Sequence, residues 1–239
     1  MLATQDLARL AGASVLVSSG TLLATIGAGQ VAVTGGALFY LASAVLAIAA
    51  FFLLIELVER GREVGADVLA VTREAFGEAE EELDEEEVGV AIPATMAILG
   101  ISFIGFALLL AGLPPLSGFL TKFAMLAPLL GPGGGSVPAT SWVLLAALIL
   151  SGLATVVAMT RAGINAFWAS PESPVPRVGV VEIAPVLLLL ALCLALTVQA
   201  GPVMRYMQAT AGSLHAPQGY VQGVLAAPPT PGPVERVDR

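Results

Sequence analysis

The sequence predicts an all-α integral membrane protein of about five transmembrane helices, the third of them broken at a Pro-Pro pair. Three observations carry that reading. Only 12% of the 239 residues are charged and 57% are hydrophobic, with a mean hydropathy of +0.90, whereas a water-soluble domain carries about twice that share of charge. No charged residue occurs in the 46 positions between Arg9 and Glu56, and Lys122 is the single charge in the 73 positions from Val88 to Thr160. Gly112, Pro114 and Pro115 interrupt the second of these stretches near its middle. A soluble enzyme is thereby excluded. The net charge of −8 is local, since Glu74 to Glu87 contribute nine negative charges and the remainder sums to about +1. No basic patch for nucleic acid is left. One cysteine, Cys193, rules out an intrachain disulfide and, with a single histidine, leaves too few ligands for a metal cluster. No organic cofactor is implied.

Residues 1–57 hold two transmembrane helices, at about Leu10 to Ile26 and Ala37 to Leu57. Their turn is expected in Gly27 to Gly36, where glycines, Gln30 and Thr34 let the backbone leave the hydrocarbon and be solvated. Residues 58–91 read as a cytoplasmic acidic linker with an amphipathic stretch, Val64 to Phe76. Residues 92–130 are the broken helix and 131–141 an external Gly-rich loop, which lacks the Lys-Ser/Thr pair of a phosphate cradle. Residues 142–200 hold two further helices, near Trp142 to Arg161 and Ile183 to Gln199, and 201–239 an external interfacial segment with a proline-rich tail expected to be mobile. A single crossing by the broken helix places Arg9, Arg60, Arg62, Arg73, Arg161 and Arg177 on one side, as the enrichment of Lys and Arg in short cytoplasmic loops requires. Two crossings would set Arg161 and Arg177 against the rest. The N-terminus is then cytoplasmic and the C-terminus external, with Arg205 the exception. Met1 to Arg9 lacks a secretory leader pattern, so the first helix is expected to be retained.

Lys122 is the only lysine in the chain. An ammonium near a bilayer centre costs at least about 2.5 kcal/mol, so it should face protein, a partner charge or water, and function is its default reading. The bland alternative is a lysine that snorkels along its helix to the interface. Pro114 and Pro115 favour function, because they remove two backbone donors and free carbonyls that are tolerated at membrane depth only inside protein or beside a polar cavity. Gly112 and Gly118 permit close backbone approach there, and Ser117 and Thr121 are the nearest side chains able to bond a water or the lysine. The acidic run reads as a solvated linker or partner-facing segment, Cys193 as a small packing residue, and His215 as an interfacial side chain without partners.

The run Gly112, Leu113, Pro114, Pro115, Leu116, Ser117, Gly118, Phe119, Leu120, Thr121, Lys122 resembles the antiporter-like subunits shared by respiratory complex I and the multisubunit Na+/H+ antiporters of the Mrp type. The likeness runs from about Asp6 to Leu225: Asp6 to Leu10 looks like the start of that family's tenth helix and Ala37 to Ala44 like the start of its eleventh. The five spans would correspond to helices ten to fourteen. The tail, Gln199 to Tyr206 and Ala211 to Leu225, looks most like that of the D-type subunits of Mrp antiporters. By this resemblance Lys122 is the proton-carrying residue of a half-channel. The histidine usual on the eleventh helix has no counterpart here, where Ala42, Ser43, Ala44 and Ile48 stand, so Tyr40 and Ser43 are the remaining polar candidates and water would have to complete the relay.

The resemblance thus implies a secondary transporter subunit rather than an enzyme, in the plasma membrane of a prokaryote, within a multi-chain assembly that exchanges cytoplasmic sodium for external protons. The family's preceding helices have no counterpart in the sequence, and Met1 reads as a natural start. A separate chain is therefore expected to supply the N-terminal half, alongside other antiporter subunits and the lipid bilayer. Two alternatives stand beside it: a proton-pumping subunit of a redox-driven complex, such as complex I or a membrane hydrogenase, and a non-transporting structural subunit.

Overall fold

In a computed structural model, residues 6–76, 94–131, 137–167 and 179–226 are described, with 61–76, 94 and 180 as backbone only. Eight helices form them: α1 (Leu7–Ile26), α2 (Val31–Phe76), α3 (Ala94–Ala111), α4 (Ser117–Leu130), α5 (Ala139–Phe167), α6 (Val180–Val198), α7 (Ala200–His215) and α8 (Gln218–Leu225). Helix is what an apolar chain must adopt in lipid, because only there does each backbone donor find its acceptor within the segment. α1, residues 31–60 of α2, α5 and α6 are each long and apolar enough to cross a membrane, while α3 and α4 are shorter apolar helices. Residues 77–93, which hold most of the acidic run, residues 132–136 of the Gly-rich loop, Arg177 and the proline-rich tail lie outside the described residues.

Hydroxyl side chains inside the helices are satisfied locally: Ser14, Thr21, Thr155 and Thr197 each donate to the carbonyl four residues earlier. α1 starts on Asp6, whose carboxylate accepts from the Ala8 N–H at 3.0 Å and pairs with Arg9, an N-cap with the negative charge at the favoured end. α6 starts where the Glu182 carboxylate accepts from the Gly179 N–H and pairs with Arg60 of α2 at 2.6 Å.

α2 is the central post. Leu10 of α1, Phe51 and Leu54 of α2, Phe103 and Phe106 of α3, Met159 of α5 and Val186 of α6 fill one buried apolar cluster. Along α2, Phe51 meets Phe103 of α3, Ser43 meets Ser117 of α4, and Gly36 lies against Ala124 and Met125. α3 and α4 therefore run in the same direction, both antiparallel to α2. α5 returns antiparallel to α3, with Phe167 on Phe103 and Gly152 at Ala111.

Two expectations need correction. The α1–α2 turn occupies only residues 27–30, with Gly29 at φ +66°, and α2 begins at Val31 rather than near Ala37. Gly35 and Gly36 belong to the helix: a Cβ at Gly35 would come within 3.0 Å of Gln208, and one at Gly36 within 2.9 Å of the Ala124 backbone. They are spacing residues for helix packing rather than turn formers. His215 is not without a partner. It ends α7, and its Nε2 lies 2.9 Å from the Thr34 hydroxyl, which also stands 3.1 Å from the Gln30 carbonyl.

Candidate functional site

α3 ends in a geometry that only glycine adopts readily. Gly112 sits at φ +76°, the Leu113 N–H donates to the Leu108 carbonyl and the Gly112 N–H to those of Leu108 and Leu109. This is a Schellman C-cap, which satisfies the carbonyls of Leu108 and Leu109 and leaves those of Leu110 and Ala111. In a continuing helix these two would accept from the backbone nitrogens of residues 114 and 115. Both are proline and have no N–H to give.

The amine of Lys122 fills that vacancy. Its Nζ donates to the Ala111 carbonyl at 2.8 Å and reaches the Leu110 carbonyl at 3.5 Å. A positive charge at the C-terminal end of a helix is also electrostatically favoured. Lys122 does not snorkel along α4; it folds back onto the break. Two glycines make the room, since a Cβ on Gly112 would stand 2.8 Å from Nζ and one on Gly152 of α5 would stand 3.8 Å from it. Gly118 has a related duty: a Cβ there would overlap the Leu109 carbonyl, so α4 can back onto the end of α3 only without a side chain at that position. Among the described residues Lys122 has no carboxylate partner, whereas Arg9 pairs with Asp6 and Arg60 with Glu182.

Of the other polar residues expected at the site, Ser43 and Ser117 are both buried and bonded to each other at 2.8 Å. Ser43 stands 12 residues past the start of α2, which at 1.5 Å per residue is about 18 Å along the helix axis. Thr121 is fully buried and donates to the Gly118 carbonyl of its own helix. Tyr40 faces α1, against Ser18 and Thr21, rather than the lysine. None of these four bonds the amine directly; the backbone carbonyls of Ala111 and Leu110 do. The reason is the donor deficit at the prolines.

Tyr40 and Ser43 instead line a small cavity together with Ser14 and Ser18 of α1, Leu109 and Leu110 of α3, Gly118 of α4 and Thr155 of α5. It gives the centre of a water-sized sphere about 20 Å³, and one water needs about 10–15 Å³ with two to four polar partners. Sequence reasoning missed Ser14, Ser18, Thr155 and Gly152, because single small or hydroxyl residues in apolar helices read as packing.

Fold and site define a multi-pass helical membrane protein built around a lysine docked on a broken helix. The chain is 58% identical, over 95% of its length, to the D subunit of a probable K(+)/H(+) antiporter of Rhizobium meliloti (strain 1021), of which it covers 43%. It is 33% identical, over 50% of its length, to the D subunit of the Na(+)/H(+) antiporter of Alkalihalophilus pseudofirmus, covering 23% of that protein. To the N subunit of the NADH-quinone oxidoreductase of Thermobifida fusca it is 30% identical over 85% of its length, covering 33% of it. No family model matches. The chain is a homologue of these antiporter and oxidoreductase membrane subunits, in keeping with the superfamily its lysine motif resembles, and it spans less than half the length of the relatives it matches.

Proposed function

We propose that the chain is the C-terminal portion of an antiporter-like D-type subunit and contributes a proton half-channel to a multi-chain cation/proton antiporter of a bacterial plasma membrane. The observation that carries the proposal is the Lys122 amine, placed inside an apolar bundle on the two carbonyls that Pro114 and Pro115 leave without donors. Lys122 takes up and releases the proton. The Ser43–Ser117 pair, Thr121 and Tyr40 hold polar contacts along the route, and water in the adjoining cavity completes it. The chain lies with Arg9 and Arg60 cytoplasmic. Sodium and potassium both stand in the names of relatives, and the one at 58% identity carries potassium, which favours potassium over the sodium expected from the sequence. The remaining helices come from polypeptide outside these residues, and mass spectrometry of the purified assembly tests the expectation of a separate companion chain.

The direct test is Lys122→Ala in the whole assembly, assayed in inside-out vesicles for potassium- and sodium-driven proton movement. Exchange should disappear while the assembly remains intact. Full exchange by the variant would leave the structural-subunit alternative. The oxidoreductase relative supports a second reading, a redox-driven pump; redox subunits recovered in the same preparation would favour it.

A further inference from the structure

The lysine dock is built from three elements, not two. α3 supplies the Leu110 and Ala111 carbonyls and α4 supplies the amine. α5 closes the third side at Gly152, where a Cβ would stand 3.0 Å from the Ala111 oxygen and 3.8 Å from Nζ. The first of these distances is too short for an unshifted structure, and the second leaves no room for a further carbon toward the amine. One turn along α5 from Gly152, Thr155 lines the hydroxyl cavity, and Leu110, whose carbonyl faces the amine, lines it too. The dock and the cavity therefore share a wall formed by α3 and α5.

We propose that Gly152 is a positioning residue for Lys122: by holding α5 clear of the Ala111 carbonyl, it sets how closely the amine seats on the end of α3. This rests on the proposal that Lys122 carries the proton. It makes the separation of α3 and α5 a determinant of the carrier's affinity for its resting place, and hence of the balance between the docked amine and one turned toward water. When the amine turns from the dock toward water, its proton passes to a water molecule, which releases one of its own onward.

Gly152→Ala and Gly152→Val in the whole assembly test the idea, with Lys122→Ala alongside and the pH profile of exchange as readout. Graded losses are expected, about threefold for alanine and tenfold or more for valine, because small displacements of a reacting group are costly. The pH profile should move by roughly half a unit or more, since the charged amine loses a hydrogen-bond acceptor. Rates and profiles equal to wild type in both variants would overturn the inference while leaving the transport proposal standing. So would a lower rate that merely tracks a lower amount of assembled protein at an unmoved profile, because that is a structural role alone. Should the valine variant fail to assemble, the alanine variant decides by its profile. Full exchange by Lys122→Ala would remove the transport proposal and this inference together.

Discussion

Ser43 and Ser117 are separated by 74 positions in the chain and meet at 2.8 Å inside the bundle. Removing one hydroxyl leaves the other able to turn to a carbonyl of its own helix, as Ser14 and Thr155 already do. Ser43→Ala and Ser117→Ala are therefore each expected to cost about 1 kcal/mol or less, and the double variant no more than one of the singles. Thermal unfolding of the three variants in detergent measures this; additive losses would show that the pair is not a unit. At this scale the sequence is legible where physics makes a residue expensive. Lys122 stands out because a lone charge between apolar runs needs a reason. Its partners are not legible, since they are main-chain carbonyls, and the glycines around it resemble any other small residue in a membrane helix.

At the scale of elements, the break between α3 and α4 follows from bookkeeping of backbone donors. A Schellman turn at Gly112 serves two carbonyls, the prolines leave two more, and a side chain from the next helix serves those. The Pro-Pro pair and the lysine eight residues later are thus parts of one structure, which explains why the break could be placed from sequence. The α1–α2 turn was misplaced because glycine carries two messages: Gly29 turns the chain with a positive φ, whereas Gly36 sits in a helix to let α4 approach. Composition does not distinguish them; only a neighbouring helix does. Gly118→Ala should accordingly destabilise strongly, at or above the upper end of about 1–3 kcal/mol, because backbone stands in the way. Gly105→Ala, whose Cβ would meet the movable Leu190 side chain at 3.3 Å, should cost less than about 1 kcal/mol. Comparable losses in the two, read from thermal unfolding, would contradict the close backing of α4 onto α3.

For the whole molecule, contacts sort the chain ends into two faces. Asp6 and Arg9 at the start of α1, Arg60 on α2 and Glu182 at the start of α6 share one face with the end of α5 near Phe167. The 27–30 turn, the end of α4 at Leu129 and the start of α5 near Ala139 share the other, where α7 also lies across α2 through Gln208 and the His215–Thr34 bond. Arginine distribution bears on such sorting through the odd or even number of crossings, not through where each helix ends. The helical segments after Val198 were poorly legible, as a polar, glycine-containing run past the last apolar stretch gives little sign of packing back on α2. A labelling experiment tests the faces together with their orientation. In a Cys193→Ala background, single cysteines at Arg9 and Gly179 should react with a membrane-impermeant maleimide added to inside-out vesicles, and cysteines at Gln30 and Ser213 only when it is added to right-side-out cells or spheroplasts. The reversed pattern would keep the fold and invert its placement in the membrane. Reaction at Arg9 and Gln30 from the same side would mean that α1 does not cross, and the alternation of faces, with the broken α3–α4 crossing inside it, would have to be given up.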